Sequence, residues 1–203
     1  MSLTRLFIIR HGETDFNRKQ MLQGRGIDAP LNATGQKQAL QIAAALEKEE
    51  VGKIVASSMM RSIQTAQPLA SKLGMPIESF EDLDEMDFGD FEGKRKTEVL
   101  EEIERIHTEW ASGNVSLKIP GGESPEEVFK RADSRIKTLL DGKDDSQVMI
   151  LHSRLIRILL SEWLGYGLKN MHKIEHSNGA INLIIKNGTA IEAEYLNSIV
   201  HLT

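Results

Sequence analysis

Two residues that could handle phosphate, Arg10 and His11, directly follow the apolar residues 6–9. A short apolar run of this kind predicts a buried parallel strand. In open α/β sheets the ligand crevice lies beyond the carboxyl ends of the strands, so we expect both side chains at the floor of such a crevice. The alternative is a charged strand end that faces water, with Gly12 only turning the chain.

Further polar segments follow in a fixed order along the chain. They are Asn17, residues 23–25 and 29–35, residues 57–66, residues 83–93 and residues 149–153. Together with the Arg-His-Gly sequence they resemble the histidine phosphatase superfamily, which includes phosphoglycerate mutases and many small-molecule phosphatases. The resemblance extends from Leu6 to Leu202 and rests on several separated motifs, whereas Arg-His-Gly alone would be weak evidence.

The resemblance implies that His11 is the nucleophile of a phosphoryl transfer. A phosphate monoester carries about two negative charges near neutral pH, so a neutral imidazole is a better attacker than an anion. Arg10 and Arg61 would grip the phosphoryl oxygens and lower the pKa of His11. His152, if protonated, would add a further donor. The phosphohistidine formed in this way would then react with water.

A carboxyl group is also expected, because the leaving alkoxide needs a proton and the attacking water must lose one. Spacing alone leaves the choice open among the acidic residues of one loop, which are Asp84, Glu85, Asp87, Asp90 and Glu92. The resemblance selects Glu85 as the general acid and base.

The resemblance also predicts the residues that bind the phosphoryl group. They are Arg10, Asn17, Gln23, Gly24, Arg61 and Ser153. Ser153 stands where many relatives carry glycine, so we expect a tighter pocket than glycine would give. Arg154 could point into the crevice as an extra anion contact or out to solvent, and the solvent position is the one we predict.

Several other candidates are interpreted as structural. His172 and His176 have the spacing of a helical metal pair, with Glu175 between them, but two exposed histidines on a surface helix are the preferred interpretation. His107 is expected to be solvated, and Trp110 and Trp163 to be core or capping residues. The acidic residues 98, 101, 102 and 104 are expected to form a polar helix face with Arg105 as a partner.

Strand and helix patterns alternate along the chain, which predicts a three-layer α/β/α sandwich with helices on both faces. The sheet should be mainly parallel, with one antiparallel strand from a hairpin at Asn187-Gly188. Strands are predicted at residues 6–9, 54–56, 148–151, 180–185 and 189–196, with a long polar loop at 13–31. The carboxyl ends of the first three strands should meet at one crevice. The first strand places Arg10 and His11 there, the second places Ser57 and Arg61, and the third places His152.

Four helices are predicted. The first spans residues 34–49, and the second begins after a cap at Ser57 or Ser58. The third runs from Thr97 to about residue 111 and should end near Gly113, and the fourth runs from Ser124 to about Asp141. The last begins with a capping box and a proline at its first position, and Gly142 should stop it.

Composition limits the remaining possibilities. A chain of 203 residues with 40% hydrophobic content can bury one core, so we expect a single domain over residues 1–203. The net charge of −5 argues against a nucleic-acid or anionic-membrane partner. The absence of cysteine excludes disulfides and thiolate chemistry. There is no signal-peptide pattern or long apolar stretch, so we expect a cytoplasmic protein.

The predicted function is a metal-independent phosphatase that hydrolyses small-molecule phosphate monoesters and needs no cofactor. The alternatives are a cofactor-dependent phosphoglycerate mutase and, less favoured, a non-catalytic phosphate-binding regulatory protein. Residues 88–93 resemble the phosphatase branch, and the last three residues leave no tail to close over the crevice. The sequence indicates neither the substrate nor the oligomeric state.

Overall fold

A computed structural model describes residues 3–141 and 145–203. The strands are β1 (Leu3–Arg10), β2 (Lys53–Ser57), β3 (Ile77–Phe80), β4 (Ser146–Leu151), β5 (Ile181–Asn187) and β6 (Ala190–Ser198). They form one sheet in the order β3-β2-β4-β1-β5-β6. Strands β1 to β4 are mutually parallel, and β5 is antiparallel to both of its neighbours. The prediction of a mainly parallel sheet with one reversed strand is therefore confirmed.

Helices cover both faces of this sheet. They are α1 (Asp15–Arg18), α2 (Ala33–Leu46), α3 (Met60–Leu73), α4 (Leu100–Ser112), α5 (Pro125–Leu140) and α6 (Ser153–Trp163). Alternate residues of β1 point to opposite faces, as strand geometry requires. Leu6 and Ile8 pack in one hydrophobic cluster with α4, α5 and α6, and Phe7 and Ile9 pack in the other with α2 and α3. The predicted three-layer sandwich is confirmed.

Of the three predicted helix caps, one is confirmed and two are wrong. Ser124 forms the capping box at the start of α5, with Pro125 at the first helical position. The predicted serine cap of α3 is wrong, because Met59 holds the cap position and makes no side-chain cap bond. The Thr97 cap is also wrong, because residues 96–98 form a 3₁₀ turn and α4 begins after Val99.

The helix ends follow their glycine signals where they can be compared. Gly113 closes α4 with φ of 110°, in the left-handed region that favours glycine. The predicted stop of α5 at Gly142 lies outside the described residues. Along the described part of the chain, no helix is both long enough and apolar enough to cross a membrane.

The order of connections places the site between β1 and β4. From β1 the chain passes through α2 to β2, in the direction of the sheet edge formed by β3. From β4 it passes through α6 to β5, in the direction of the opposite edge, formed by β6. These two central strands are adjacent, with Arg10 opposite Leu151 at their carboxyl ends. Ligand crevices of open α/β sheets form at such a switch point. His11 and His152, the residues directly after β1 and β4, therefore come together.

Two glycines let the loop after β1 approach helix α2 closely. A Cβ atom on Gly35 would lie 2.1 Å from the carbonyl oxygen of Glu13, and one on Gly12 would lie 2.6 Å from the carbonyl oxygen of Gly35. Both contacts are with backbone atoms, which cannot swing away. The backbone that carries the nucleophile candidate is thus packed directly against the first turn of α2.

Replacing Gly35 by alanine should destabilise the protein, although alanine favours a helix over glycine by about 1 kcal/mol. The backbone clash at Glu13 should outweigh that gain, so Gly35→Ala should lower the free energy of unfolding by more than about 1 kcal/mol. Thr34→Ala, at the exposed neighbouring position, is the control and should change it by less than about 0.5 kcal/mol. Urea unfolding measures both variants, and a stabilised Gly35→Ala would contradict this packing.

Candidate active site

The predicted site residues surround a cavity of about 140 Å³ at the carboxyl ends of β1 and β4. Six of them line it directly: Arg10, His11, Asn17, Gln23, Glu85 and Ser153. Met21, Leu22, Phe88, Lys96, Arg154 and Arg157 complete the wall. Arg61 and His152 are buried behind His11, and Gly24 supports Arg61, so these three do not line the cavity among the described residues.

His11 is held in one tautomer by its own loop. Its Nδ1 lies 2.7 Å from the carbonyl oxygen of Gly12, and because a carbonyl only accepts, Nδ1 must carry the proton. The lone pair of the ring is then on Nε2. Burial and the positive charges of Arg61 and Arg10 lower the pKa of His11 well below its usual value, so the ring is neutral at neutral pH. A neutral, oriented imidazole is the form that a nucleophile requires.

Arg10 supplies positive charge at the end of β1. Its Nη1 donates to the carbonyl oxygen of His176 at 2.6 Å, which fixes the guanidinium at the cavity wall. Its Nε is buried and has no hydrogen-bond partner within the described ranges. Burial lowers the pKa of Arg10 to about 10, against the opposing effect of Glu85, so the group stays charged at neutral pH. An unpartnered buried donor beside a cavity is suited to an anion.

Arg61 is fully buried in the first turn of α3 and is held by protein groups on all sides. Its Nη1 and Nη2 donate to the carbonyl oxygens of Ile27 at 2.9 Å and Gly24 at 3.2 Å. Its Nε donates to Nδ1 of His152 at 3.3 Å. Burial lowers its pKa to about 10, which leaves it charged at neutral pH. Gly24, predicted as a phosphate ligand, thus acts through Arg61.

His152 packs behind His11, with its ring centroid 5.2 Å from that of His11. Its Nδ1 accepts from Arg61, and its Nε2 lies 2.7 Å from the hydroxyl oxygen of Ser57. Burial and the charge of Arg61 lower its pKa well below the usual value. The imidazole is therefore neutral in this arrangement, not the protonated donor considered from the sequence.

Glu85 is distinguished from its acidic neighbours by position. Of the acidic loop candidates among the described residues, it alone lines the cavity. Its carboxylate oxygens accept hydrogen bonds from the backbone N–H groups of Met86 at 2.9 Å, Leu155 at 3.0 Å and Arg154 at 3.1 Å. Two of these belong to the first turn of α6, so the carboxyl group of Glu85 is held in a fixed position at the cavity wall.

The other acidic side chains of the loop are occupied elsewhere. Asp84 accepts from the backbone N–H and the hydroxyl of Ser58 at 2.9 and 2.8 Å. Asp87 accepts from the N–H of Gly89 at 2.8 Å. Both interactions organise the loop, and neither carboxylate lines the cavity among the described residues. The geometry therefore favours the same residue as the family resemblance.

Asn17 and Gln23 present amide N–H groups to the cavity because their oxygens are already bonded. Asn17 Oδ1 accepts from the backbone N–H of Thr14 at 3.1 Å and from Nδ2 of Asn178 at 3.0 Å. Gln23 Oε1 accepts from the hydroxyl of Thr14 at 2.7 Å, and its Nε2 is buried without a partner within the described ranges. The sequence analysis missed Thr14 and Asn178, because their roles depend on contacts between distant segments.

Arg154 does not face solvent, so that prediction is wrong. Its side chain lines the cavity, its Nη2 lies 3.0 Å from Nε2 of His107, and its guanidinium carbon lies 5.5 Å from the ring centroid of Trp110. His107, predicted to be solvated, is half-buried against the same tryptophan, and burial and Arg154 lower its pKa to about 4. Arg157 was also missed, although its spacing of three residues from Arg154 puts both on one face of α6.

The remaining interpretations are partly confirmed. Trp110 is buried, and Arg105 pairs with Glu102 at 2.7 Å, as expected. The expectation of two exposed histidines is wrong, because His176 is buried with Nε2 at 2.8 Å from Nδ2 of Asn182, whereas His172 is exposed. Over residues 3–141 and 145–203, no group of three metal-ligating side chains is assembled.

Comparison with known proteins places the chain in a family. The model of the histidine phosphatase superfamily (branch 1) matches residues 6–199, and the chain belongs to this superfamily. A protein of Hydrogenobacter thermophilus named "putative phosphoserine phosphatase 2" is 30% identical over 199 residues, covering 98% of each chain. The expectation of an enzyme of the histidine phosphatase type is confirmed.

Two further relatives are more distant. A protein of Escherichia coli named "probable phosphoglycerate mutase" is 29% identical over 164 residues, which cover 80% of this chain and 76% of that protein. The solved structure of a mycobacterial glucosyl-3-phosphoglycerate phosphatase has a TM-score of 0.86 at 24% identity, covering 96% of this chain and 99% of that one. The structural match shows a common fold.

The buried histidines should make the protein less stable in acid. Burial and the charge of Arg10 lower the pKa of His176 to about 3, whereas the same side chain in the unfolded chain titrates near 6.5. The unfolded state therefore binds more protons below pH 6.5, and the contribution of His176 to stability, complete above that pH, is lost as the pH falls towards 3.

Replacing His176 by glutamine should make the free energy of unfolding less dependent on pH. Between pH 7.5 and 4.5 the variant should lose roughly 2 kcal/mol less than the parent protein. Urea unfolding at pH 7.5, 6.0 and 4.5 measures this difference. His172→Gln, at an exposed position, is the control and should follow the parent protein. Equal slopes for the parent and the His176 variant would contradict a buried neutral His176.

Proposed function

We propose that this protein is a metal-independent phosphatase that hydrolyses small-molecule phosphate monoesters through a phosphohistidine at His11. The observation that carries the proposal is the hydrogen bond of 2.7 Å from Nδ1 of His11 to the carbonyl oxygen of Gly12, at the floor of a cavity lined by Arg10. It leaves the Nε2 lone pair for attack, and the guanidinium stabilises the charge of the transferred group.

In the first step, Nε2 of His11 forms a bond to phosphorus while the bond from phosphorus to the ester oxygen breaks. The leaving alkoxide takes a proton from Glu85. In the second step, a water molecule gives a proton to the Glu85 carboxylate and its oxygen attacks phosphorus, which breaks the phosphorus–nitrogen bond and releases inorganic phosphate. Glu85 is thereby returned to its protonated form.

Fixed groups around His11 stabilise the transferred phosphoryl group. The guanidinium of Arg10 and the amide N–H groups of Asn17 and Gln23 contact its oxygens, and Arg61 adds a second positive charge from behind. His152 accepts a hydrogen bond from Nε of Arg61 and so holds that cation in place. These cations supply the stabilisation that magnesium provides in other phosphoryl-transfer enzymes, so the proposed reaction needs no metal.

The names of the relatives support a phosphatase and keep one alternative open. The Hydrogenobacter thermophilus relative, matched over 98% of each chain, is named for phosphatase activity, and the Escherichia coli relative is named for mutase activity. The two reactions differ in the fate of the phosphohistidine, because a mutase must protect it from water. A regulatory phosphate-binding role is less favoured, since a pure binder needs neither a nucleophile nor a proton donor.

The first test is the covalent intermediate. During turnover of p-nitrophenyl phosphate, 3-phosphoglycerate or phosphoserine with EDTA present, the protein should acquire an acid-labile, base-stable phosphoryl label. His11→Ala should abolish both the label and phosphate release, because no other histidine lines the cavity among the described residues, whereas His172→Ala should retain both. Full activity of His11→Ala would overturn the mechanism. Loss of activity in EDTA would overturn metal independence, and isomerisation of phosphoglycerate without net phosphate release would identify a mutase.

The second test concerns Glu85. Glu85→Gln keeps the shape and removes the proton, so transfer to His11 should slow by roughly 10²–10⁴-fold on alkyl esters. It should slow less on p-nitrophenyl phosphate, because that phenolate leaves without a proton. Single-turnover rates on both ester types measure the effect. Asp84→Asn and Asp87→Asn are matched controls, and the assignment is wrong if one of them, and not Glu85→Gln, shows this dependence on the leaving group.

A further inference from the structure

A second, larger cavity opens beside the one that contains His11. Its volume is about 330 Å³, and it shares Leu22, Phe88, Lys96, Arg154 and Arg157 with the first cavity. Apolar side chains form most of its remaining wall: Phe91, Leu100, Ile103, Ile106, Trp110 and Ile119. Because the two cavities share a wall, an ester whose phosphoryl group is bound at His11 has its alcohol part at the entrance to this apolar cavity.

Three positive side chains stand at the shared wall: Lys96, Arg154 and Arg157. Within residues 3–141 and 145–203, none of them forms an ion pair with a carboxylate. Burial and the charge of Arg157 lower the pKa of Arg154 to about 10, against the opposing effect of Glu85.

Arg154 and Arg157 differ in what they already bind. The guanidinium of Arg154 contacts His107 and stacks over Trp110, so it is held in place. Arg157 makes no side-chain hydrogen bond with any described residue, and its Nε is buried. A buried guanidinium donor without a partner is costly unless a ligand satisfies it. Arg157 is therefore the side chain at this wall that most needs an anion.

The phosphoryl group alone does not account for these charges. Arg10, together with Arg61 behind His11, matches the two negative charges of a monoester. Glu85 and Glu175 attract Arg157 without forming an ion pair with it among the described residues. The free donors of Arg157 therefore favour a second negative group, placed between the phosphoryl site and the apolar cavity. The apolar side chains beyond them require a hydrophobic part of the same ligand.

We propose that the substrate is a phosphate monoester whose alcohol part carries both a ring-sized apolar body and a second anionic group. The apolar body occupies the cavity beneath α4, and Arg157 binds the anionic group, which is a carboxylate or a second phosphate. This inference rests on the phosphatase function proposed above, and it adds Arg157 as a residue that determines specificity.

The test compares esters whose alcohols have similar leaving-group strength. They are benzyl phosphate, 4-carboxybenzyl phosphate, the bisphosphate of 1,4-benzenedimethanol, and 3-(phosphonooxy)propanoate, which has a carboxylate and no ring. In the parent protein, kcat/KM for the better of the two ring esters with a second anion should exceed that for benzyl phosphate by roughly 10–100-fold, the effect of a hydrogen bond between charged groups. The kcat/KM for that ester should also exceed the kcat/KM for 3-(phosphonooxy)propanoate, which has no ring.

Variants assign the preference to the shared wall. Arg157→Met should reduce the ratio of kcat/KM between the anionic ring ester and benzyl phosphate to near one. Arg157→Lys keeps the positive charge and should give an intermediate ratio. It also serves as a second variant in case Arg157→Met does not fold. Ile103→Trp should fill the apolar cavity and lower kcat/KM for the ring esters more than for the ester without a ring. Arg105→Gln, on the exposed face of α4, is the control and should change none of these ratios.

The outcomes separate this inference from the proposed function. If no ester is hydrolysed, the proposed phosphatase function fails. If benzyl phosphate and both anionic ring esters are hydrolysed equally well, the phosphatase function stands and the inference is wrong. A preference for an anionic ring ester that persists unchanged in Arg157→Met also overturns the role of Arg157. The choice between carboxylate and bisphosphate identifies the second anion.

Discussion

Concentrated positive charge at the carboxyl ends of β1 and β4 is the constraint on which the rest of the site depends. The protein has a net charge of −5, yet five cations gather around one crevice: Arg10, Lys96, Arg61, Arg154 and Arg157. Burying such groups is costly unless they are hydrogen-bonded. For Arg10 and Arg61 the surrounding fold reduces this cost with backbone carbonyl groups, which satisfy guanidinium donors and leave the net positive potential in place.

Arg61 illustrates how this arrangement is made. Its two terminal nitrogens donate to carbonyl oxygens of the long loop after β1, at Gly24 and Ile27, so the loop and α3 are joined through the charge itself. Arg131 joins helix α5 to the acidic loop in a similar way. Its terminal nitrogens donate to the carbonyl oxygens of Asp84 at 2.9 Å and Glu85 at 3.0 Å. The loop that carries the proposed acid is therefore held by its backbone, and the Glu85 side chain remains in the crevice.

The same potential, together with burial, determines the protonation of the site. Burial and positive neighbours disfavour a proton on His11, and the carbonyl oxygen of Gly12 places the single remaining ring proton on Nδ1. Burial and charge thus select the neutral form and geometry selects the tautomer, and both are needed to leave a lone pair on Nε2. Since Gly12 is also in close contact with Gly35, the orientation of the nucleophile depends on how α2 packs against this loop.

The part of this arrangement that could be predicted from sequence is the part fixed by local pattern. Apolar runs that end at Arg10 and before His152 predicted the strands, and parallel strands meet at one edge, so the convergence of these residues followed from topology. The capping box at Ser124 followed from local chemistry in the same way. The cap predicted at Ser57 or Ser58 was wrong because both hydroxyls bond to distant segments, that of Ser57 to His152 and that of Ser58 to Asp84.

What could not be predicted depends on contacts between segments far apart in the sequence. Thr14 caps α1 and donates a hydrogen bond to Oε1 of Gln23, which orients that side chain. Asn178 donates to the carbonyl oxygen of His11 and so supports the loop after β1. Arg154 was assigned to solvent because an arginine is usually exposed. Its position inside the crevice is determined by α4, which supplies Trp110 and His107 as neighbours.

Helix α6 connects the chemistry to the choice of ligand. Its cap residue His152 lies behind the nucleophile, its first-turn N–H groups hold Glu85, and its next turn carries Arg157 into the wall of the apolar cavity. These groups share one rigid backbone, so an anion bound at Arg157 fixes the ester relative to both His11 and the proposed proton donor. In the proposed reaction a second anionic contact therefore aligns the scissile bond with His11 and Glu85, and binding energy gained away from phosphorus contributes to the rate of transfer.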